Sequence, residues 1–174
     1  MNSKMFVLHL SGASCSGKST VGSAFAEILP GIYVVSHGKL KWQLSGYNRD
    51  KDMPLMRNIL RGFFEVVCKQ GVPILLDAIV RTEEDYKYFK DVAEANGYRF
   101  ISVKLTAPKE ILLNRFRERI ENGKKNNVKI SITSEELFWA NIENEFFTPE
   151  GTPSFDTSKT SPSEVASQIL VLIQ

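Results

Sequence analysis

Apolar residues in this chain fall into short continuous runs, and between those runs they recur at helical spacing. Met5-Phe6-Val7-Leu8-His9-Leu10 reads as a buried strand, and Val21, Ala24, Phe25, Ile28 and Leu29 mark a helix that ends near Pro30-Gly31. Ile32 to Val35 is a second strand. Ser36-His37-Gly38-Lys39-Leu40-Lys41 follows at its carboxyl end and leads into a short helix. Gly46 to Asp52 is polar and turn-rich. Asp52 with Pro54 behind it predicts a helix start, and Met56, Ile59, Leu60, Phe63 and Val67 give its apolar stripe up to Gly71.

Val72 to Asp77 is a third strand, apolar almost throughout. Thr82 and Asp85 resemble a capping box for a helix that buries Tyr86, Phe89 and Ala93 and stops at Asn96-Gly97. Phe100 to Leu105 is the fourth strand, and Thr106 is expected to cap a helix carrying Leu112, Phe116 and Ile120. Glu121 to Ser131 loses periodicity and reads as a mobile loop. Thr133 and Glu136 predict another capping box, for a helix through Phe146. Phe155-Asp156 is a short fifth strand, and Ser161-Pro162-Ser163-Glu164 caps a last helix with Val165, Ile169 and Leu172 on one side. Strands alternating with helices predict right-handed crossovers and a parallel α/β sheet with helices on both faces. Ligands of such sheets bind outside the carboxyl ends of the strands.

Composition narrows the class. The 174 residues suit one domain, 1–174, and the 22 basic against 20 acidic residues leave a net charge of +2. That balance gives no reason to expect nucleic acid or an anionic membrane as partner. No stretch is long and apolar enough for a membrane span, and the expected location is cytoplasmic. Cys15 and Cys68 are too few for a disulfide framework and read as reduced thiols.

Candidate chemistry concentrates at the predicted carboxyl edge. Gly12-Ala13-Ser14-Cys15-Ser16-Gly17-Lys18-Ser19-Thr20 matches the phosphate-binding loop G-x-x-x-x-G-K-[ST], between a strand and a helix as that motif requires. Glycines let the backbone approach a polyphosphate, and N–H groups at the helix start favour anions. Lys18 is positioned for the terminal phosphates of ATP, and Ser19 for Mg2+. Asp77, closing an apolar strand, is the expected carboxylate for the same Mg2+. Arg81, on the same edge, suits an acceptor's phosphate or carboxylate. Arg115 and Arg119 share a helix face, where two guanidiniums are suited to an anion between them, such as a transferring phosphoryl group. Ser36, His37 and Lys41 are candidates for binding the acceptor. Trp42 and Tyr47 either stack on a ring of the substrate or pack the small helix, and His9 reads as a core residue.

Leu75-Leu76-Asp77-Ala78-Ile79-Val80-Arg81-Thr82 resembles the adenylate kinase signature Leu-Leu-Asp-Gly-Phe-Pro-Arg-Thr. Ser36 to Lys41 is similar to that family's Ser-Thr-Gly-Asp-Leu-Leu-Arg segment read with one gap, and Arg115 and Arg119 fall where its lid begins. Asp156-Thr157-Ser158 before a Ser-Pro-Ser-Glu helix is similar to the ending of many small phosphate-loop kinases. The resemblance implies a nucleoside monophosphate kinase-like fold with a five-stranded parallel sheet, an acceptor region over about 36–72 and a short lid over about 117–133. Lys39 and Lys41 stand in place of that family's Asp and Arg, and Asn141 stands about where an arginine after the lid is expected.

The function these features predict is an ATP-dependent transfer of the γ-phosphate to a small-molecule acceptor, first of all a nucleoside monophosphate. Such an acceptor needs no strong base, because its oxygen is already ionised near neutral pH. The alternative among enzymes is a kinase acting on an alcohol, such as a nucleoside, sugar or antibiotic. The alternative of another class is a nucleotide-binding regulatory protein that hydrolyses slowly or not at all. Oligomeric state is left open.

Overall fold

The computed structural model describes residues 5–143 and 146–174. Five parallel strands make one sheet in the order β2-β3-β1-β4-β5: β1 (Phe6–Ser11), β2 (Tyr33–Ser36), β3 (Ile74–Asp77), β4 (Arg99–Thr106) and β5 (Ser154–Asp156). Between and after them run α1 (Lys18–Ile28), α2 (His37–Leu40), α3 (Arg49–Cys68), α4 (Glu83–Ala95), α5 (Lys109–Lys125), α6 (Glu135–Glu143) and α7 (Pro162–Ile173).

Central β1 is buried at every position because both its edges are paired and both its faces are covered. Val7, Ile74 and Leu76 pack with Leu60 and Phe64 of α3 and Phe89 and Ala93 of α4. Leu8, Leu10, Leu75 and Leu105 pack on the other side with Val21 and Phe25 of α1 and Val165 and Ile169 of α7. The alternation along each strand thus divides one sheet between two cores. A third cluster joins α5 to α6 through Leu112, Phe116 and Phe138, the two phenyl rings stacked 4.5 Å apart. Among the described residues no helix is long and apolar enough to cross a membrane.

Several local expectations are corrected. Helix α3 starts at Arg49, ahead of Asp52, because Asn48 caps it: Asn48 Oδ1 accepts from the amides of Asp50 and Lys51, while Asp52 accepts from the Asn48 amide. Pro54 consequently lies inside the helix. The α3 core stripe runs through Phe64, and Ile59 is 42% exposed, since the helix leans on the sheet through Met56, Leu60, Phe64 and Val67. Thr106 ends β4 and caps nothing; the N-cap of α5 is Pro108. Thr82 accepts from the Asp85 amide, but the Asp85 carboxylate is held by Arg61 at 2.9 Å, so only half of that capping box forms.

Helix α5 continues to Lys125, through residues read as loop. Gly123 hides the periodicity there. A Cβ at 123 would lie 2.2 Å from Ile130 Cδ1, so the glycine is what lets the returning chain lie against the helix. The cap of α6 is Ser134, whose Oγ accepts from the Leu137 amide, one residue later than Thr133. The predicted extension of α6 to Phe146 crosses 144 and 145, outside the described residues, and Phe146 itself is not helical. Helix α7 has the predicted capping box at Ser161 and Glu164, and Ile173 rather than Leu172 completes its buried side.

His9 lies in the core as expected, 1% exposed, its Nδ1 3.2 Å from Ser102 Oγ and its ring stacked on Phe100. Burial first, then Lys18, lowers its pKa to about 4 from 6.5. The unfolded chain therefore binds a proton that the folded chain refuses between those values, so stability falls as pH falls from 6.5 to 4. This one residue accounts for about 3 kcal/mol of acid destabilisation by pH 4. Urea melts of the native chain and His9→Leu across that range should show a shallower loss in the variant; identical slopes would refute the assignment.

Candidate active site

The loop after β1 takes its shape from one close approach. Gly12 has φ of +138°, and a Cβ there would sit 2.3 Å from Leu105 O and 2.7 Å from Ser16 Oγ. Any side chain at 12 would lift the loop off the end of β4. The chain then turns through Cys15, at φ +64°, with the Ser16 amide donating to Ala13 O at 3.2 Å, and enters α1 at Lys18. The first turn of α1 leaves amide donors without helical partners, facing the cleft beside Ser19 and Thr20. Ser16 Oγ is buried and has no hydrogen-bond partner among the described residues.

Lys18 folds back over this loop, donating to Gly12 O at 2.7 Å and Ala13 O at 2.8 Å. Burial pulls its ammonium below the ordinary lysine value; Asp77 and Cys15 oppose the shift, while Arg119 and Arg81 add to it. Burial raises the pKa of the Cys15 thiol and so favours its protonated form, against the opposing pull of Arg119. Both cysteines are free.

Arg115 and Arg119 part company. Arg115 Nη1 donates to Cys15 O at 3.2 Å and Thr157 Oγ1 at 2.9 Å, and Nη2 to Thr157 O at 2.8 Å. Its guanidinium braces the loop while also lining the cleft, with Thr157 Oγ1 within 3.1 Å of Ser16 O and Thr106 O. Arg119, one turn further on, lines the open cleft beside Cys15 and Lys18. Neighbouring Arg117 points outward and makes a bidentate pair with Glu135, at 2.7 and 3.1 Å, between α5 and α6.

Across the cleft, parallel register sets Ser36 beside Asp77, whose carboxylate accepts from Ser36 Oγ at 3.1 Å. Asp77 and Ser19 both line the cleft and offer hard oxygen donors. Among the described residues no group of three or more His, Cys, Asp or Glu could hold a metal ion. A carboxylate and a hydroxyl fit Mg2+, which keeps water and phosphate oxygens as its remaining ligands.

The cleft holds about 1100 Å3 and gathers cations from many elements: Lys18, Lys41, Arg49, Arg57, Arg81, Arg115 and Arg119. Arg49 and Arg57 escape sequence reading because their position depends on where α3 begins and how it lies on the sheet. Lys41 donates to Ser131 Oγ at 2.7 Å, bridging the end of α2 to the lid segment. It lies over Trp42 at 4.9 Å and Tyr47 at 6.0 Å, and those two rings meet edge to face rather than lie free. Burial first, then Arg119 and Arg49, lowers Lys41 to about 8, with Asp77 opposing. His37 is 5% exposed; burial, Lys41 and Arg57 bring it to about 4, so it is neutral at pH 7. Two further residues come from beyond the lid. Asn141, 7% exposed, accepts from Ser14 Oγ at 2.8 Å, and Phe146 lies over Arg81.

Residues 7–137 match the family model described as AAA domain. No curated protein matches the chain closely in sequence. Similar solved structures include a provisionally named kinase from Chloroflexus aurantiacus, 16% identical, covering 98% of this chain and 100% of that one with a TM-score of 0.76. APS kinase of Mycobacterium tuberculosis, solved with AMPPNP and APS, is 18% identical over 98% of both chains, with a TM-score of 0.70. A gluconokinase of Sinorhizobium meliloti is 17% identical, covering 99% of this chain and 93% of that one, with a TM-score of 0.65. The fold is that of the phosphate-loop kinases, whose members act on varied small molecules.

The different surroundings of the two arginines separate them experimentally. Arg115→Ala strands two carbonyls and loosens the loop, so it should lower unfolding free energy by about 2 kcal/mol. Arg119→Ala should change it by less than about 0.5 kcal/mol. Urea denaturation of both variants checks this, and equal effects would contradict the division.

Proposed function

The chain belongs to the AAA domain family, and from that premise we propose that it is an ATP-dependent kinase whose small acceptor carries its own negative charge, with nucleoside monophosphates the leading class. One observation carries the reading. Opposite the phosphate loop, the acceptor half presents Lys41, Arg49, Arg57 and Arg81, while the segment ending β2, Ser36 to Lys41, contains no carboxylate. Cations at that density suit an anionic acceptor. An acceptor phosphate also arrives ionised and needs no base to attack.

In this reading the loop amides and Lys18 bind the β- and γ-phosphates of ATP, and Arg119 faces the charge that spreads over the transferring group. Mg2+ held between Ser19 and Asp77 would neutralise phosphate charge. Arg81 and Lys41 orient the acceptor in line with the donor, and neutral His37 beside Asp77 adds no competing charge. A second reading is supported by the likeness to a gluconokinase: an alcohol acceptor with an acidic handle, Asp77 taking its proton.

Incubation with Mg·ATP and a panel of nucleoside monophosphates, sugars and sugar acids distinguishes these. Transfer to a monophosphate is the expected result. Transfer to alcohols alone selects the second reading, and nucleotide binding without turnover removes both. Lys18→Ala should cut transfer at least about 100-fold while leaving the fold intact. As pH rises through about 8 Lys41 loses its proton, so KM for the acceptor should rise up to about tenfold by pH 9.5 with kcat less affected. Lys41→Gln should have a raised KM that no longer follows this rise; an unchanged profile would exclude Lys41 from acceptor binding.

A further inference from the structure

Phe146 lies in the segment joining α6 to β5, and its ring stands between the two halves of the cleft. The ring centroid is 5.6 Å from Lys18 Nζ and 4.5 Å from Arg81 Cζ. Lys18 belongs to the donor loop and Arg81 follows β3 on the acceptor side, so the phenyl group sits where the halves meet. The chain beside it is firmly fastened. The Phe147 amide donates to Val80 O at 3.2 Å, and Thr148 Oγ1 lies 3.0 Å from Ser11 Oγ. These contacts tie the segment to the ends of β3 and β1.

Two successive phenylalanines divide the work. Phe147 packs into the core, 5.5 Å from the Tyr86 ring. Phe146, partly buried like its neighbour, joins no core cluster and lines the cleft. Core packing therefore does not explain it. A phenyl ring brings no donor or charge to a phosphoryl group, and its attraction for two cations is weak beside that of phosphate. What it brings is an apolar wall between two charged side chains, Lys18 and Arg81.

We propose that Phe146 keeps water out of the gap between Lys18 and Arg81 and thereby sets how the γ-phosphoryl group divides between the acceptor and water. The inference rests on the kinase reading above. In productive transfer an acceptor oxygen bonds to phosphorus as the bond to the bridging oxygen of ADP breaks. In the side reaction a water oxygen makes that bond instead, ADP and inorganic phosphate leave, and the water's proton passes to phosphate or solvent. Substituting a small residue for Phe146 opens room for that water beside Lys18.

The test uses the full chain with Mg·ATP as the sole substrate, so no acceptor need be known. Phe146→Ala should release ADP about 5- to 10-fold faster than the native chain, and Phe146→Leu, which keeps apolar bulk, should stay within about twofold. Should Phe146→Ala fold poorly, Phe146→Gln, similar in length but polar, should show the same rise. AMPPNP binding, titrated in parallel, should be unchanged. Tighter AMPPNP binding in the variants would show an obstruction and overturn the shield, as would bound AMPPNP with unaltered ADP release. Absence of AMPPNP binding by every chain would overturn the kinase reading itself, and this inference with it.

Discussion

The contact between Gly12 and the Leu105 carbonyl governs the cleft. It sets the phosphate loop down on the end of β4 with no side chain between. From there Thr157 and Arg115 lock the loop's outer carbonyls, and the path through Cys15 delivers Lys18 to the start of α1. Donors for a polyphosphate are thus fixed by backbone packing before any ligand arrives. The residues that hold the loop, Thr157 and Arg115, also line the cleft.

That rigidity serves an electrostatic purpose. Lys18, Lys41, Arg49, Arg57, Arg81, Arg115 and Arg119 converge on one space, where the carboxylates among the described residues are Asp50, Asp77 and Asp85. The structure relieves part of the repulsion through rings, since Lys41 lies over Trp42 and Tyr47, and Arg81 over Phe146. It relieves another part through neutrality, because the buried His37 ring does not protonate near pH 7. A polyanion bound among these cations would stabilise the fold by linkage.

The sheet, the loop and the Ser36–Asp77 edge were legible in the sequence because each is written locally: apolar runs, glycine spacing, a carboxylate closing a strand. The long-range parts were not. Thr157 meets the loop across 141 residues of chain separation from Ser16, and the resemblance of its segment to the ending of phosphate-loop kinases does not say which atoms it holds. Arg49 and Arg57 become site residues only once Asn48 starts α3 early. Arg115 and Arg119 have the right spacing for one shared anion, yet the carbonyls of Cys15 and Thr157 claim the first guanidinium. The named family resemblance was good for the fold and coarse for specificity, since many acceptors are handled on this one scaffold.

The close seating of Ile130 on Gly123 changes the mechanics of the segment over the cleft. With that contact behind it, the Arg117–Glu135 pair alongside and the Phe116–Phe138 stack beneath, α5, its return and α6 are braced together as a stiff lever. A unit braced in this way would move as one body and not by the freezing of a slack loop. Opening and closing then carry little configurational penalty, because the backbone of the moving part is already ordered.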